Sequence, residues 1–227
     1  FSNLGGKMKK YIYVSVSTDP IQEYQKIADY ALQMQGQADF LHCDVMDGEF
    51  VKNKTYDAQL VYSINQHSLI MLDVHLMCNE PLKIINDYLK AGANIITFHY
   101  EAFKNKNDIV EALNKIKEGK ALAGLAFSPK TKVSDIKVYI HDFDVILVMS
   151  VEPGESGQKF MPEALEKIKE LNKLREENGY KFKIEVDGGI NAENVGEIIE
   201  AGADMIVSGS FVYKSQDKAQ AIEILRG

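Results

Sequence analysis

Residues 41–48 read LHCDVMDG, a short apolar run of β-type residues that ends in a glycine-containing turn. Side chains two apart in a β-strand point to the same side, so His42 and Asp44 project together and Cys43 projects to the opposite face. An imidazole and a carboxylate on one face can ligate a metal or move protons. The stretch therefore predicts a strand that ends at a functional site.

The same arrangement recurs further along the chain. Asp73-Val74-His75-Leu76-Met77 puts His75 near the end of another apolar run, and Val186-Asp187-Gly188-Gly189 does the same for Asp187. Eight such runs are separated by segments of helical spacing. We predict strands over residues 11–17, 39–45, 70–76, 94–99, 121–127, 144–151, 182–187 and 204–208.

The clearest helix is predicted from Pro162 to Asn178, where leucine and isoleucine recur at three-residue steps before Gly179. Strands that are apolar on both faces and alternate with helices favour a parallel sheet. Eight such units in 227 residues predict the α/β class and a single (β/α)₈ TIM barrel. A doubly wound open sheet is the alternative, but no GxGxxG opens a first helix.

Composition sets the broad class of protein. The chain is 45% hydrophobic and 26% charged, as in ordinary globular proteins, and its net charge of −7 argues against nucleic-acid or anionic-membrane partners. Two cysteines without a paired motif fit a reduced, cytoplasmic protein. No apolar run approaches the roughly 20 residues of a membrane span, and no signal-peptide pattern opens the chain.

The chain begins FSNLGGK before Met8. We expect residues 1–7 to be a remnant of cloning outside the fold, with Met8 as the native start. No linker, low-complexity tract or change in composition follows, so residues 8–227 are predicted to form one barrel domain.

The barrel prediction has a consequence for the polar residues. Functional groups of such barrels lie at the C-terminal ends of the strands, so His42, Asp44, His75 and Asp187 are expected to meet at one mouth. Two neutral imidazoles and two carboxylates suit Zn²⁺, or Fe²⁺, Mn²⁺ or Co²⁺, and we expect one such ion per subunit. A metal there could grip a carbonyl and an adjacent hydroxyl oxygen of a sugar and stabilise an enediolate.

Asp44 and Asp187 have a second predicted role. They come from strands two and seven, which are well separated around the barrel, so they can flank a substrate on opposite faces. One carboxylate would take a proton and the other would return one, which inverts a carbon next to a carbonyl. The thioethers of Met46, Met77 and Met149, near the same rim, could line the enediolate without supplying competing protons.

Glycine-bearing loops predict a phosphate site. Gly188-Gly189 follow strand seven and Gly209-Ser210 follow strand eight, where barrels often bind phosphate through backbone N–H groups. The loop Pro153–Gln158, PGESGQ, follows strand six and could close over a ligand.

Other inward-facing polar residues have structural interpretations. Asp73 and Glu185 share the parity of the predicted ligands one layer deeper, and we expect them to support those ligands or to pack within the barrel. For His99 with Glu101, contact with substrate and stabilisation of the rim remain open alternatives. Cys43 is expected to face away from the barrel interior.

The segments LHCDVMDGEFVKN, LDVHLM, ITFHYEA, ILVMSVEPGESGQKF, IEVDGGI and AGADMIVSGS resemble, in order, the ribulose-phosphate 3-epimerase family from Val14 through Tyr213. The resemblance implies a metal-dependent enzyme that inverts C3 of D-ribulose 5-phosphate to give D-xylulose 5-phosphate. It implies a homo-oligomer that acts in the pentose phosphate pathway. The implied metal ligands are His42, Asp44, His75 and Asp187, with Asp44 and Asp187 as the acid/base pair. The implied substrate and phosphate contacts are Met46, Met77, Met149, Gly154, Gly157, Gly188, Gly189, Gly209 and Ser210.

The chain departs from the family's usual pattern at three places. The usual PGFGGQ loop has Glu155 and Ser156 here, and the usual GHFVPN has Glu49 and Lys52. The first strand reads YVSVSTD instead of PSILSAD, which puts the family's substrate-facing serine at Val14 or, with a one-residue slip, at Ser15. These changes leave the preferred ketose phosphate open, and D-allulose-6-phosphate 3-epimerase is the neighbouring alternative.

Three other functions fit the residues less well. A decarboxylase of the orotidine-phosphate type needs a lysine among the strand aspartates, and HCDVMD has none. A synthase-type phosphate barrel without metal would lack the His42/His75 pair. A non-catalytic sugar-phosphate-binding barrel would be marked by the loss of an acid or a ligand, and none is missing. The sequence therefore favours the epimerase.

Overall fold

Eight parallel strands form a closed barrel in the computed structural model, which describes residues 9–227. Each strand pairs with its neighbours in chain order, and the first strand pairs with the eighth. The strands are β1 Tyr13–Ser17, β2 Phe40–Met46, β3 Met71–Met77, β4 Ile95–His99, β5 Leu122–Phe127, β6 Val145–Met149, β7 Lys183–Asp187 and β8 Met205–Ser208. The predicted (β/α)₈ barrel is confirmed. The predicted leader and Met8 lie outside the described residues.

Helices alternate with the strands and cover the barrel. They are α1 Tyr24–Met34, α2 Ala58–His67, α3 Ile85–Lys90, α4 Asp108–Glu118, α5 Val133–Ile136, α6 Ala164–Asn178, α7 Val195–Ala201, α8 Ser210–Tyr213 and α9 Lys218–Leu225, with short 3₁₀ helices at Pro81–Lys83, Tyr100–Ala102 and Ile140–Asp142. The helix predicted from Pro162 begins two residues later and ends as expected, because Gly179 takes a left-handed φ of 67°. The eighth unit carries two helices, α8 and α9.

Four polar residues lie where the even-numbered strands were predicted to begin. Asp39, Asn94, Asp144 and Asp204 were predicted as first strand residues, but each lies just before an even-numbered strand. Their side-chain oxygens accept hydrogen bonds from backbone N–H groups of the preceding strand. These bonds come from Val14 (2.8 Å), Leu72 (2.8 Å), Ala123 (2.9 Å) and Ile184 (2.8 Å) respectively. The same contact thus repeats every second strand at the N-terminal end of the barrel.

The alternation of side chains along the strands divides the core in two. Cys43 and Val14 lie in the apolar layer between the barrel and its helices, together with the buried faces of the helices. Cys43 therefore faces away from the interior, as predicted, and the alternative that Val14 is the inward-facing residue is wrong. The lower interior is filled by Tyr13, Phe40, Ile95, Val145 and Met205. The upper interior is left for polar groups.

None of the helices within residues 9–227 combines the length and the apolar character that crossing a bilayer demands.

Asp204 anchors β7, β8 and α6 at one point. Its carboxylate accepts from Ile184 N–H at 2.8 Å and from Arg175 at 2.5 Å, and it pairs with Lys10 at 3.0 Å. Burial raises the pKa of Asp204, but the bond from Ile184 and the charge of Arg175 outweigh burial and leave the pKa below its ordinary value. The ionised form is therefore favoured in the folded protein.

We predict that Asp204→Asn lowers the free energy of unfolding at pH 7 by about 2 kcal/mol, because it removes charge-assisted hydrogen bonds. A carboxyl whose pKa is lowered by folding stabilises the fold above its unfolded pKa of about 3.9, and this contribution is lost as pH falls through the folded pKa. The difference between wild type and variant in urea-unfolding midpoint should therefore be full at pH 7 and shrink below about pH 4. A difference that does not change with pH would contradict this origin.

Candidate active site

Four of the predicted residues meet near the C-terminal mouth of the barrel. His42 Nε2 lies 3.4 Å from Asp44 Oδ1, 3.5 Å from Asp187 Oδ2 and 3.2 Å from His75 Nδ1. His75 Nδ1 lies 3.2 Å from Asp44 Oδ1 and 3.6 Å from Asp187 Oδ2. One ligand atom from each of the four lies within 4.8 Å of the others. This group could bind a metal ion, and it is called the His/Asp group below.

Strand register and barrel closure bring these residues together. Asp44 of β2 is directly opposite His75 of β3, and both side chains point inward. Asp187 is the last residue of β7. β1 and β8 separate β7 from β2, so Asp187 approaches the group from the other side of the mouth. The geometry agrees with the expectation that the two aspartates come from well-separated strands.

A second pair of carboxylates lies directly below the His/Asp group. His42 Nδ1 contacts Asp73 Oδ2 at 2.8 Å, and Ser15 Oγ donates to the same oxygen at 2.9 Å. Glu185 is fully buried, and neither of its carboxyl oxygens has a hydrogen-bond partner among residues 9–227. Burial, followed by the charge of Asp73, raises the pKa of Glu185 well above its ordinary value. Asp73 is thus placed to orient His42, as expected for a supporting residue.

His99 and Glu101 lie behind His75. His99 is fully buried, and its Nε2 lies 2.7 Å from His75 Nε2. Its Nδ1 lies 3.3 Å from Glu101 Oε1, which also accepts the backbone N–H of Ser128 at 2.8 Å. His99 therefore contacts His75 and not the open mouth, which favours the structural alternative that the sequence left open.

The electric field in the His/Asp group favours positive charge. Burial lowers the pKa of His42, but the carboxylates of Asp73 and Asp44 outweigh it and hold that pKa well above the ordinary value. Burial raises the pKa of Asp187, but hydrogen bonds with His42 and His75 outweigh it and leave that pKa lowered. The same attraction would stabilise a metal cation at this position.

A cavity of about 930 Å³ opens above the group. His42 and His75 are fully buried beneath it, whereas Asp44 and Asp187 line it. The predicted substrate and phosphate residues also line it without exception: Met46, Met77, Met149, Gly154, Gly157, Gly188, Gly189, Gly209 and Ser210. The structure therefore brings the predicted residues to one cavity, and their individual roles stay predictions.

Two cavity residues were missed by sequence reasoning. Ser17 Oγ donates a hydrogen bond to Asp44 Oδ2 and accepts one from Asp19 N at 2.9 Å. Burial, with the charges of Asp44 and Asp187, raises the pKa of Asp19 to about 7. The sequence does alternate as Ser15-Val16-Ser17, which signals an inward-facing polar edge. It does not give the register of β1 against β2, which aligns Ser17 with His42.

Two loops meet over one side of the mouth. Asn53 Nδ2 donates to Gly154 O at 2.6 Å, which joins the β2–α2 loop to the β6–α6 loop. The Phe50 ring lies 5.0 Å from the His99 ring. The unusual residues Glu49, Lys52 and Glu155 are all exposed on these loops, and Glu155 lines the cavity. The two loop departures from the family pattern therefore lie around the mouth, whereas the third departure lies in β1.

The protein has the architecture of a barrel enzyme. Its barrel is a closed (β/α)₈ barrel, and a metal-capable His/Asp group lies at the C-terminal ends of the strands. The sequence profile of the ribulose-phosphate 3 epimerase family matches residues 14–213, and the chain belongs to this family, whose members are isomerases that act on carbohydrates. It is 42% identical to ribulose-phosphate 3-epimerase of Bacillus subtilis (strain 168) over 194 residues, 85% of this chain and 88% of the relative. It is 40% identical to that of Escherichia coli (strain K12) over 199 residues, 87% of each chain.

Solved structures show the same fold at lower identity. The 3-keto-L-gulonate-6-phosphate decarboxylase from Vibrio cholerae superposes with a TM-score of 0.68 at 14% identity, covering 96% of each chain. At this identity the likeness bears on the barrel alone.

Gly189 marks the closest approach of two loops at the cavity. Its φ is +68°, and a Cβ atom there would lie 2.3 Å from Phe160 N and 2.9 Å from Gln158 O. Only glycine fits, because both the left-handed conformation and the neighbouring backbone exclude a side chain. The β7–α7 loop thus supports the backbone of the β6–α6 loop.

We predict that Gly189→Ala lowers the free energy of unfolding by about 2–4 kcal/mol, from the left-handed penalty and the displaced loop. Gly196→Ala is the matched control, because Gly196 lies in α7 and a Cβ atom there would meet no other atom within 4 Å. The control should stabilise by about 0.5–1 kcal/mol. Urea unfolding of both variants measures the difference, and equal effects would show that the loop contact is unimportant.

Proposed function

We propose that this protein is a metal-dependent epimerase that inverts C3 of D-ribulose 5-phosphate to give D-xylulose 5-phosphate. One observation carries the proposal. Asp44 and Asp187 reach the same two imidazoles from β2 and β7, and both line the cavity. Two carboxylates so placed can act on opposite faces of one carbon. The family to which the chain belongs supports the same reaction.

The donor set fits one divalent cation per subunit. His42 has its Nδ1 on Asp73 and His75 has its Nε2 on His99, so each imidazole has one nitrogen left for the His/Asp group. Two imidazole nitrogens and two carboxylates suit Zn²⁺ best, and Fe²⁺, Mn²⁺ or Co²⁺ as well. The bound cation supplies Lewis-acid polarisation of a substrate carbonyl oxygen.

Asp44 and Asp187 carry the proton transfer in this proposal. One carboxylate removes the C3 proton from one face of the sugar, which leaves an enediolate, and the other carboxyl returns a proton to the opposite face. The pKa of each aspartate is lowered in the fold, because hydrogen bonds and charge from His42 and His75 outweigh burial. The ionised form of either aspartate can therefore act as the base. The other carboxyl must carry a proton when the reaction begins, so that the two aspartates exchange protonation states in each turnover. Ser17 donates to Asp44 Oδ2 and so orients that carboxylate.

The remaining cavity residues bind the substrate. We assign the reacting carbons to the apolar surface of Met46, Met77 and Met149, which offers no exchangeable protons. The phosphate is assigned to the glycine-rich loops that line the same cavity. These assigned residues are Gly154, Gly157, Gly188, Gly189, Gly209 and Ser210. The family resemblance supports a cytoplasmic homo-oligomer in pentose phosphate metabolism.

D-Allulose 6-phosphate is the alternative substrate, since it presents the same reacting carbons with one further carbon. The relatives named above favour ribulose 5-phosphate. The exposed Glu155 at the cavity does not distinguish the two sugars, because an acid near a bound phosphate weakens the binding of either sugar phosphate.

We predict that Asp187→Asn lowers kcat for D-ribulose 5-phosphate by at least about 10²-fold, because one of the two proton carriers is lost. Exchange of the C3 proton in D₂O, followed by ¹H NMR, separates the two half-reactions. Circular dichroism of the variant checks that the fold is retained. Wild-type exchange in the folded variant starting from D-ribulose 5-phosphate and also from D-xylulose 5-phosphate would reject the acid/base role of Asp187.

Steady-state kinetics of epimerisation test the reaction and its substrate. Wild-type kcat/KM is measured side by side on D-ribulose 5-phosphate and D-allulose 6-phosphate, and Asp44→Asn serves as a second variant. A higher value for ribulose 5-phosphate supports the proposal, and a higher value for allulose 6-phosphate replaces the substrate. Negligible values on both would overturn the epimerase function.

We predict that a chelator abolishes epimerisation and that Zn²⁺, Fe²⁺, Mn²⁺ or Co²⁺ restores it, because the His/Asp group has no other source of Lewis acidity. Thermal unfolding with and without chelator reports whether the protein stays folded when metal is removed. Full turnover by protein shown by elemental analysis to be metal-free would contradict the proposal.

A further inference from the structure

We propose that Glu101 and His99 are positioning residues that fix the tautomer of His75 and so present its Nδ1 lone pair to the His/Asp group. Neither residue lines the cavity, so both act through His75. The inference rests on the proposed function, because it concerns how the chain prepares its metal site. It assigns a role to the Phe98-His99-Tyr100-Glu101 stretch, which the proposed reaction does not use.

The first step is the contact between Glu101 and His99. Glu101 Oε1 accepts the backbone N–H of Ser128 at 2.8 Å and lies 3.3 Å from His99 Nδ1. An ionised carboxylate oxygen can only accept hydrogen bonds. The hydrogen between Glu101 and His99 is therefore on His99 Nδ1.

The second step is the contact between the two imidazoles. A neutral His99 that carries its hydrogen on Nδ1 has a lone pair on Nε2. That atom lies 2.7 Å from His75 Nε2, which is within hydrogen-bonding distance. Two nitrogens at this distance must share one hydrogen. His75 Nε2 is consequently the donor.

The third step places a lone pair in the His/Asp group. A neutral His75 with its hydrogen on Nε2 has none on Nδ1, which lies 3.2 Å from both Asp44 Oδ1 and His42 Nε2. A metal ligand needs this unprotonated nitrogen. His42 reaches the same state more directly, because its Nδ1 contacts Asp73 Oδ2 at 2.8 Å and its Nε2 faces the group.

Loss of the Glu101 acceptor would permit the opposite hydrogen pattern. His99 could then carry its hydrogen on Nε2 and donate to His75 Nε2. The hydrogen of His75 would move to Nδ1 and occupy the position of the metal-binding lone pair. The carboxylate thus selects between two tautomers from the far side of His99, without contacting either the cavity or the His/Asp group.

Glu101→Met and Glu101→Gln form a matched pair of variants. Methionine has similar length and no strong acceptor. Glutamine keeps a carbonyl oxygen, and the Ser128 N–H holds that oxygen toward His99. The tautomer argument therefore separates the two variants, whereas a role in filling space would not.

Imidazole ¹H–¹⁵N spectra of the full-length, metal-free chain read the tautomer directly at alkaline pH, where the rings are neutral. We expect a protonated Nε2 and a bare Nδ1 for His75 in wild type and Glu101→Gln, and a mixed or inverted pattern in Glu101→Met. Signals are assigned by comparison with His75→Asn. A protonated Nδ1 in wild type, or an unchanged pattern in Glu101→Met, would overturn the inference.

Zn²⁺ alone, titrated in competition with a chromophoric chelator, measures the consequence. We expect Glu101→Met to weaken Zn²⁺ binding by about 10–100-fold, as is typical for residues that orient a metal-ligating histidine, and Glu101→Gln to weaken it far less. Failure of wild type to bind Zn²⁺ would sink the proposed metal site itself. Tight wild-type binding with equal affinity in Glu101→Met would sink only the present inference.

A double-mutant cycle shows whether Glu101 acts through His99. His99→Phe keeps an aromatic ring beside Phe50 and His75 but offers no hydrogen-bond acceptor. We expect His99→Phe to weaken Zn²⁺ binding, and Glu101→Met to add little further loss in that background. Urea midpoints of the same proteins report stability separately. Fully additive losses in Zn²⁺ affinity would show that Glu101 acts on the fold and not through His99.

Discussion

The packing of four acidic groups at the top of the barrel interior governs the whole active centre. Asp44, Asp73 and Glu185 are buried and Asp187 is half-buried beside them, and among residues 9–227 the basic groups that contact them are imidazoles. Buried carboxylates are costly unless positive charge or hydrogen bonds compensate them. The histidines can supply that charge by taking up protons, or a cation can supply it in their place. The proposed metal binding and the proposed proton transfer by His42, Asp44, His75 and Asp187 would therefore both answer one electrostatic constraint.

This constraint can operate only if every strand keeps its register. A slip of one residue would turn His42 and Asp44 outward and put Cys43 inside. The contacts of Asp39, Asn94, Asp144 and Asp204 with the preceding strands resist such a slip at the opposite end of the barrel. Each ties the start of one strand to a defined residue of its neighbour. The geometry of the mouth thus depends on hydrogen bonds at the far end, transmitted through strands of only four to seven residues.

The sequence predicted the barrel and the His/Asp group because both follow from local rules. Alternation along one strand places His42 and Asp44 on one face, and parallel strands bring their C-terminal ends to one mouth. Register between strands is not a local property, so the inward position of Ser17 beside Asp44 was missed and Val14 was wrongly allowed as an inward residue. The sequence shows Glu101 two residues after His99, so that a contact between them could be expected. It does not show that His99 contacts His75, because His75 lies on the neighbouring strand.

Apolar and polar residues of the barrel interior come from different strands, and this separation bears on the proposed reaction. β5 and β6 contribute a buried apolar wall of Ala126, Leu147 and Met149. The polar groups come from β1 to β4 and β7, on the other side. Of these three residues Met149 lines the cavity, and its thioether offers no proton to an enediolate held beside it. In the proposed reaction the returning proton must therefore come from the polar side of the interior, where Asp44 and Asp187 lie.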